Sequence, residues 1–477
     1  MDKKNNFLFS LLFVFALAMF LLSVSSVYPT LIGSVRQMIF GNVLLGVFIL
    51  LIVSLFTNEF LIPGLKSGKK IAEILLIFSI IALLLLSIFD RQIGIYGTGF
   101  FTLCTLIYVI TTGKIYSLQP IFLLVFTYPL LDFVGTIGTS RGFRFPDMTL
   151  TFYILPLAFC CFRIEKELLL QILRFLFRSI LIFMTLSIIN WYFNQIQTEI
   201  GVIEWISKKV AINGIPAYQF VCSWAHYKHP SYINLVLLPT LISGFYLYHK
   251  KEKKSFVSSI ELLLFVVFCV FMQLIMESRI GLVGVIFILI VTGLYYMHLK
   301  KIYFKIALIS TFVLGGTGLV VMENSVSNFV DDPVRKIYTS LAIHYIKGHI
   351  WWGAGYDEEA TVLNQQQYEL RGIVPVDAQP KSYTHNEFLG TMVQFGIPGV
   401  IVLLIMMFGL FWYSFRSRNY LLQLFICLYL LFMLIEEPLY VQEGITRFMV
   451  FLTFFIYLGN SDMETKSYTL IKRLPKR

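Results

Sequence analysis

Charge is scarce in this sequence. Asp, Glu, Lys and Arg together make up 14% of the 477 residues, whereas about 25% is usual in soluble domains. Hydrophobic residues reach 57% and recur in continuous runs of about 20, the length that crosses a bilayer as a helix. The composition therefore excludes an ordinary soluble domain and predicts an all-α polytopic membrane protein.

Several chemical signatures are also missing. The six cysteines have no metal-ligand spacing and lie mostly inside apolar runs, so we interpret them as small core residues. No aspartate-rich motif indicates a divalent metal, and we expect neither a metal nor a cofactor. The net charge of +11 is concentrated in short clusters between apolar runs. That distribution is typical of cytoplasmic loops and argues against a nucleic-acid partner.

The order of apolar runs and basic clusters predicts a topology. About fourteen runs are long enough to span a membrane, and both termini are expected in the cytoplasm because the basic clusters then share that side. Residues 1–322 would hold eleven spans, with an external loop at 194–229. Residues 323–385 would form a large, mainly helical external loop, in which Pro333 starts a helix. Residues 386–477 would hold three spans and a basic cytoplasmic tail.

Polar residues gather at the predicted external face. A charge inside a span costs about 2.5–3.5 kcal/mol on insertion scales, so polar residues at the edges of spans need a reason. Each of them alone has an ordinary explanation, such as a tight turn, a solvated helix face or a helix cap. They are Ser278 and Arg279 between spans nine and ten, Arg335 in the large loop, His385, Asn386 and Glu387 at the start of span twelve, and His229 ahead of span eight.

These residue types together suit one kind of chemistry. The guanidinium groups of Arg279 and Arg335 could hold diphosphate oxygens and stabilise charge on a departing phosphate. His385 could take a proton from an attacking hydroxyl. Gly396 and Gly399 would let another helix or a substrate approach span twelve closely. The combination matches glycosyl transfer from a polyprenyl diphosphate sugar.

A further external loop is expected at residues 436–447. It would carry several charged side chains, which could line the same cavity or simply pair with each other: Glu436, Glu437, Glu443 and Arg447. Spacing along the chain does not decide between these two interpretations.

The stretch around His385 also follows a recognisable motif. A histidine, then Asn, Ser or Gln, is followed by nine residues, a glycine, two residues, and Gly, Thr or Tyr. Here His385 and Asn386 are followed by residues 387–395, Gly396 and then Gly399. With the Ser-Arg pair and the loop arginine ahead of "WWGAGY", this pattern resembles the O-antigen ligase and polymerase superfamily of bacterial envelope glycosyltransferases, over roughly residues 225–415.

The resemblance implies a fold and a location. The fold would be a class C glycosyltransferase-like bundle of about 12–14 transmembrane helices with a large periplasmic loop. The protein would lie in the bacterial inner membrane with its active site on the periplasmic side. By matched position, His385, Arg279 and Arg335 would be catalytic, and Asn386 would hold the histidine or cap its helix. Substrate contacts are predicted for Ser278, Asn386, Glu387, His229, Gly396 and Gly399.

The implied reaction moves a glycan from undecaprenyl diphosphate to an acceptor hydroxyl, with inversion and without a metal. Lipid A–core is the leading acceptor. A repeat-unit polymerase acting on a growing glycan, or a protein O-glycan ligase, would use the same chemistry and stays open. A lipid-glycan flippase or transporter is a third alternative, but it should place ionisable residues near the middle of the membrane.

Overall fold

The computed structural model describes residues 91–112, 114–116, 120–136, 150–160, 166–197, 230–250, 257–276, 278–296, 333–371, 383–459 and 467–469, with single positions between 72 and 84. This part of the chain is helical apart from two paired three-residue strands. The elements in chain order are α1 (Arg91–Thr112), β1 (Lys114–Tyr116), α2 (Pro120–Gly135), α3 (Leu150–Cys160), α4 (Lys166–Gln197), α5 (Pro230–Lys250), α6 (Ser259–Ile275), α7 (Arg279–Tyr296), α8 (Pro333–Gly348), α9 (Glu359–Arg371), α10 (Glu387–Arg416), α11 (Tyr420–Met433), α12 (Gln442–Gly459) and β2 (Ser467–Thr469).

The observed helices agree with the predicted all-α class. Helices α1 to α7 and α10 to α12 occupy positions of predicted spans, and α8 begins at Pro333 as its sequence indicates. Two helices in the described ranges, Pro230–His249 of α5 and Glu387–Arg416 of α10, are long and apolar enough to cross a membrane, and five others are apolar but shorter. The predicted number of 12–14 spans is not confirmed by these helices. The loop at 194–229 and the spans ahead of residue 72 and at 303–322 lie outside or largely outside the described residues.

The chain divides into two compact units. Unit 1 comprises Met1–Ile115, Phe162–Val285 and Thr469–Arg477, and unit 2 comprises Tyr116–Cys161 and Ile286–Tyr468. The three regions predicted from the sequence were divided into membrane spans and an external loop. The two units do not test that division, so it stays a prediction.

Within unit 1, α5 packs against α4, and α6 packs against both. The rings of Phe177 and Phe265 are stacked with centroids 4.5 Å apart. A Cβ at Gly244 would lie 2.3 Å from Phe177, so the absent side chain lets α5 approach α4 at this point.

Within unit 2, α10 is the element against which the others are arranged. It packs against α2, α8, α9 and α11, while α12 packs against α3 and α11. Helices α8 and α9 are joined to α10 through a small apolar core that includes Leu341, Leu363 and Val393. Because α8 carries Arg335, this core holds the loop arginine against the helix that follows His385.

Helix α10 is broken at Gly396, where φ is 64° and ψ is −157°. The residues just before α9 fill this break. Ala354 N–H donates to the carbonyl of Val393 at 2.9 Å, and Gly355 N–H donates to the carbonyl of Gln394 at 2.8 Å. These carbonyls would otherwise accept from Ile397 and from residue 398, which is a proline without an N–H.

The same segment also accepts a hydrogen bond from the helix. Ile397 N–H donates to the carbonyl of Ile350 at 3.0 Å, so residues 350–355, named here the docked segment, replace the helical hydrogen bonds lost at the break. A Cβ at Gly396 would lie 2.5 Å from the carbonyl oxygen of Trp351, and one at Gly353 would lie 2.3 Å from the carbonyl carbon of Gln394. Close backbone approach therefore explains both glycines.

The stretch at 436–447 differs from its predicted form as a single loop. The loop ends at Val441, and α12 begins at Gln442. Glu443 and Arg447 therefore lie one helical turn apart and pair at 3.5 Å, and both are buried. The sequence predicted one loop over this whole stretch, but an i,i+4 ion pair can enter a helix because each charge is offset by the other.

Substitution of Gly396 tests the broken helix. Gly396→Ala should destabilise the protein by about 1–3 kcal/mol or more, because its backbone angles are nearly restricted to glycine and the new Cβ meets Trp351. Thermal unfolding in detergent measures the effect. The control is Gly293→Ala on α7, where a Cβ would meet nothing within 4 Å and alanine should be tolerated. Equal unfolding temperatures for the two variants would contradict the break.

Candidate active site

Asn386 caps α10. Its Oδ1 accepts hydrogen bonds from Phe388 N at 3.0 Å and Leu389 N at 3.1 Å, which satisfies two of the N–H groups left unbonded at a helix start. Its Nδ2 donates to the carbonyl of Leu434 at 3.0 Å. Of the two roles considered for Asn386, the cap is the one observed, and it also ties the helix start to the loop after α11.

His385 stands directly before this cap with φ at 54°. A positive φ is uncommon for residues other than glycine, although histidine is among those enriched there. Such backbone strain is often found at functional sites, where the surrounding structure holds it in place.

Glu436 joins the candidate histidine to the candidate loop arginine. Its Oε1 accepts a hydrogen bond from Arg335 Nη2 at 2.8 Å, and its Oε2 lies 3.3 Å from His385 Nδ1. The Glu436 side chain is 5% exposed, while those of Arg335 and His385 are 30% and 31% exposed. A buried carboxylate thus holds two partly exposed groups side by side. Arg335 is held further by a 3.0 Å hydrogen bond from Nη1 to the carbonyl of Ile435.

The carboxylate also decides which imidazole nitrogen carries the proton. An ionised carboxylate only accepts hydrogen bonds, so the contact requires a proton on His385 Nδ1. The Nε2 atom of the neutral ring is then the acceptor, and it can take a proton from a hydroxyl. The arrangement therefore fits a general base next to a guanidinium.

A second pair of glutamates lies behind this site. Glu359 and Glu437 are 0% and 4% exposed. Glu359 accepts from Thr384 N at 2.8 Å and from Gln394 Nε2 at 3.3 Å, and Glu437 Oε1 accepts from Thr384 Oγ at 2.6 Å. Both carboxyl groups therefore fasten the residue that precedes His385.

The two carboxyl groups face each other over Gly390. A Cβ at Gly390 would lie 2.9 Å from Glu359 Oε2 and 3.1 Å from Glu437 Oε2, so glycine leaves the space that the pair occupies. Burial and the charge of Glu359 raise the pKa of Glu437 well above its usual range, and burial raises the pKa of Glu359 as well. Two adjacent carboxylates cannot both ionise at low cost, and the pKa of Glu437 is the one raised well above its usual range, which favours Glu437 as the protonated member of the pair.

Glu387 is buried beneath the helix start rather than facing the site. It is 2% exposed, and its two oxygens accept from Tyr128 Oη at 2.8 Å and from Leu439 N at 2.9 Å. Tyr128 also lies 3.1 Å from Thr391 Oγ. These contacts favour a structural role for Glu387, linking α10 to α2 and to the loop after α11, over the predicted contact with substrate. Gly396 likewise accommodates the docked segment.

Gly399 lies one turn after the break in α10. A Cβ there would lie 2.4 Å from Phe395 Cβ and 3.1 Å from Thr391 Cγ. A side chain at position 399 would therefore clash with side chains of the preceding turns of α10, which explains the glycine. The predicted contact of Gly399 with substrate stays a prediction.

Ser278 and Arg279 begin α7 in unit 1. Ser278 Oγ accepts from Gly281 N at 3.3 Å and from Asn234 Nδ2 at 2.9 Å, the first being the contact of a helix N-cap. Asn234 in turn exchanges amide hydrogen bonds of 2.8 and 2.7 Å with Gln273. This buried network fixes the start of α7 and therefore the partly exposed Arg279. The role of Arg279 stays a prediction, and His229 lies outside the described residues.

The sequence interpretation did not single out Glu436, Glu437 or Glu359 for these contacts. The adjacent pair Glu436–Glu437 between two apolar helices was the available signal, because such residues need a partner at a membrane edge. No feature of the sequence around Glu359 indicated that it would contact Thr384 or lie next to Glu437. Within the described ranges, no group of three or more His, Cys, Asp or Glu residues is placed to hold a metal ion.

Within the described ranges the chain is mainly helical, and one of its membrane-length helices starts beside the Arg–Glu–His contact. Residues 264–404 match the family model described as O-antigen ligase. This match over 141 of the 477 residues confirms the resemblance drawn from the sequence. The family is a class of integral membrane proteins of the bacterial inner membrane that transfer glycans. A search of the curated proteins found no match.

The match covers the earlier candidates but not all of the site. Arg279, Arg335 and His385 lie inside it, together with the motif glycines. Glu436, which contacts two of these residues, lies 32 positions beyond its last residue, 404.

Titration of Glu437 provides a test of the carboxyl pair. Its pKa is raised in the folded state, so its contribution to stability is complete below the pKa of about 4.3 in unfolded chains and is lost as the pH rises through the folded pKa. Glu437→Gln keeps the size of the side chain and an oxygen that can accept from Thr384 Oγ, but it does not titrate. The free energy of unfolding, measured by denaturant titration between pH 5 and 9, should therefore fall more steeply for the wild type, by up to about 1.4 kcal/mol per pH unit per proton. Parallel profiles would contradict a protonated Glu437.

Proposed function

We propose that this protein is a glycosyltransferase of the O-antigen ligase type. It moves a glycan from undecaprenyl diphosphate to an acceptor hydroxyl, with lipid A–core as the leading acceptor, at the periplasmic face of the inner membrane. The transfer inverts the anomeric carbon and needs no metal. The observation that carries the proposal is the bridge from Glu436 to both Arg335 and His385, two of the residues that lie within the family match.

In the proposed reaction His385 acts as the general base. The acceptor hydroxyl oxygen attacks the anomeric carbon, its proton passes to His385 Nε2, and the bond from that carbon to the diphosphate oxygen breaks. Glu436 stabilises the imidazolium that forms, because its carboxylate accepts from Nδ1 throughout. The proton leaves His385 to solvent before the next turnover.

Arg335 stabilises the leaving group in this scheme. Negative charge grows on the diphosphate as the glycosidic bond breaks, and a guanidinium offers five N–H donors in a fixed plane. Two of them serve Glu436 and the carbonyl of Ile435, which sets the orientation of the plane. Arg279 keeps the role predicted from the sequence, as a second guanidinium for the diphosphate.

Two related functions would use the same residues. A repeat-unit polymerase would attack with a growing glycan, and a protein O-glycan ligase would attack with a serine or threonine hydroxyl. Reconstitution with a lipid-linked glycan and each acceptor in turn separates them by the product that forms. A flippase or transporter is less well supported, because the Arg–Glu–His contact lies at the end of an apolar helix and not at its middle.

The tautomer of His385 yields a sharp prediction. Glu436→Gln preserves the size of the side chain, but its amide N–H₂ can donate to His385 Nδ1 and so move the ring proton to Nε2. Glycan transfer should then fall about 10²–10⁴-fold, similar to His385→Ala, because the general base is lost. Initial rates of transfer in reconstituted vesicles measure this.

Glu437→Gln serves as the matched control, since the pKa of this neighbouring glutamate is raised by burial and by the charge of Glu359, and the amide oxygen can still accept from Thr384 Oγ. It should retain most of the transfer rate at neutral pH. A Glu436→Gln enzyme as active as Glu437→Gln would remove the proposed role of the bridge.

Replacement of Arg335 by lysine tests the electrostatic part of the scheme. Lysine keeps the charge but lacks the planar set of N–H donors that can bind the carboxylate and a phosphate together. Arg335→Lys should therefore lower the rate of glycan transfer about tenfold or more. We expect the same of Arg279→Lys. Arg416→Lys, at the exposed far end of α10, is the control and should transfer normally. Normal rates for Arg335→Lys would mean that a point charge is sufficient.

A further inference from the structure

The docked segment carries two exposed tryptophans. Trp351 is 66% exposed and Trp352 is 75% exposed, although the backbone around them is held to α10 by hydrogen bonds at Ile350, Ala354 and Gly355. Large apolar side chains that are exposed on an ordered, hydrogen-bonded backbone indicate an interaction surface.

The exposure pattern of α10 places this segment relative to a membrane. From Gly396 to Arg416 the helix advances about 30 Å at 1.5 Å per residue, which equals the thickness of the hydrocarbon core. None of residues 387–400 is exposed. Beyond them a stripe of large apolar side chains, each 40–64% exposed, follows one helix face: Ile401, Ile405, Phe408, Trp412 and Phe415.

This stripe has the spacing of a lipid-facing surface and ends at a basic residue, Arg416, as expected at a membrane boundary. Its other end lies one turn after Gly396, the point where the docked segment is bonded to the helix. The docked segment is therefore level with the opposite boundary of the hydrocarbon core, on the side that carries His385.

The end of α8 next to the docked segment also exposes apolar and basic side chains. Ile343 and Lys347 lie one turn apart on α8, Ile350 follows two residues after the end of this helix, and all three are exposed. Two apolar side chains flanking a lysine suit the boundary between acyl chains and phosphate head groups. Tryptophan is enriched at this depth because its ring is apolar and its indole N–H needs a polar partner.

We propose that Trp351 and Trp352 insert into the membrane interface on the His385 side and bind phospholipid there. The proposal does not depend on glycosyl transfer. Its consequence is mechanical: α8 is held to the membrane surface by its C-terminal end, so Arg335 at its N-terminal end is held at a fixed height above the lipid. Helix α8 is 16 residues long, or about 24 Å at 1.5 Å per residue.

The test uses the full chain in vesicles of phosphatidylethanolamine and phosphatidylglycerol. A fraction of the lipid is brominated either near the head group or near the end of the acyl chain, and bromine quenches tryptophan fluorescence on contact. Wild type is compared with the double variant Trp351→Phe, Trp352→Phe, so that the difference reports these two of the six tryptophans. Trp412→Phe, from the lipid-facing stripe, is the positive control for contact with lipid.

The difference in fluorescence between wild type and the double variant is the signal of Trp351 and Trp352. We expect bromine near the head group to quench this signal more strongly than bromine near the end of the acyl chain. Aqueous iodide should not quench it. Quenching by iodide without quenching by brominated lipid would overturn the proposal, because the two rings would then lie in water. Protection from both quenchers would overturn it too. A dependence on protein density would then indicate a second copy as the cover, and no such dependence would indicate another part of this chain. Unchanged unfolding temperature in the double variant shows that the fold is kept.

Discussion

The carboxylate of Glu436 is the interaction on which the candidate site depends. It is nearly buried and contacts a guanidinium from one helix and an imidazole that precedes another. Neither of those side chains is buried enough to be held by packing alone. The loop that carries Glu436 is in turn fastened at three points: Leu434 to Asn386, Glu437 to Thr384, and Leu439 to Glu387. The geometry of the site is therefore set by buried carboxyl and amide groups around one helix start.

The break in α10 is the second feature on which the site depends, because it joins the α8–α9 region to this helix. A continuous helix would satisfy its own backbone and present only side chains to its neighbours. The break at Gly396 instead exposes carbonyl groups that the docked segment satisfies, and this joins the α8–α9 region to a membrane-length helix through the backbone. The same helix thus begins two residues after His385, holds the docked segment at its break and continues as an apolar stripe. The candidate site, the docked segment and the apolar stripe are therefore all attached to α10.

Much of this could be predicted from local sequence, and the rest could not. Pro333 indicated the start of α8, and Asn386 had the residue type of a cap, because both depend on contacts within a few residues. The motif around His385 indicated the family. The contacts of Glu436 were not predictable, as they join residues 51 and 101 positions apart. The sequence interpretation placed Glu443 and Arg447 in a loop for the same reason, because their burial depends on packing that their neighbours do not reveal.

What the sequence determined by itself was the helical class, the apolar character of the chain and the identity of the residue types able to take a proton and hold a phosphate. Those follow from composition, periodicity and spacing, which are local properties. The tertiary structure decided which glutamate of the adjacent pair faces the histidine and which is buried as an acid, and why the motif glycine at 396 is required. The physical reason is that burial and long-range hydrogen bonding set the charge and orientation of a polar group, and both exist only once distant segments are packed together.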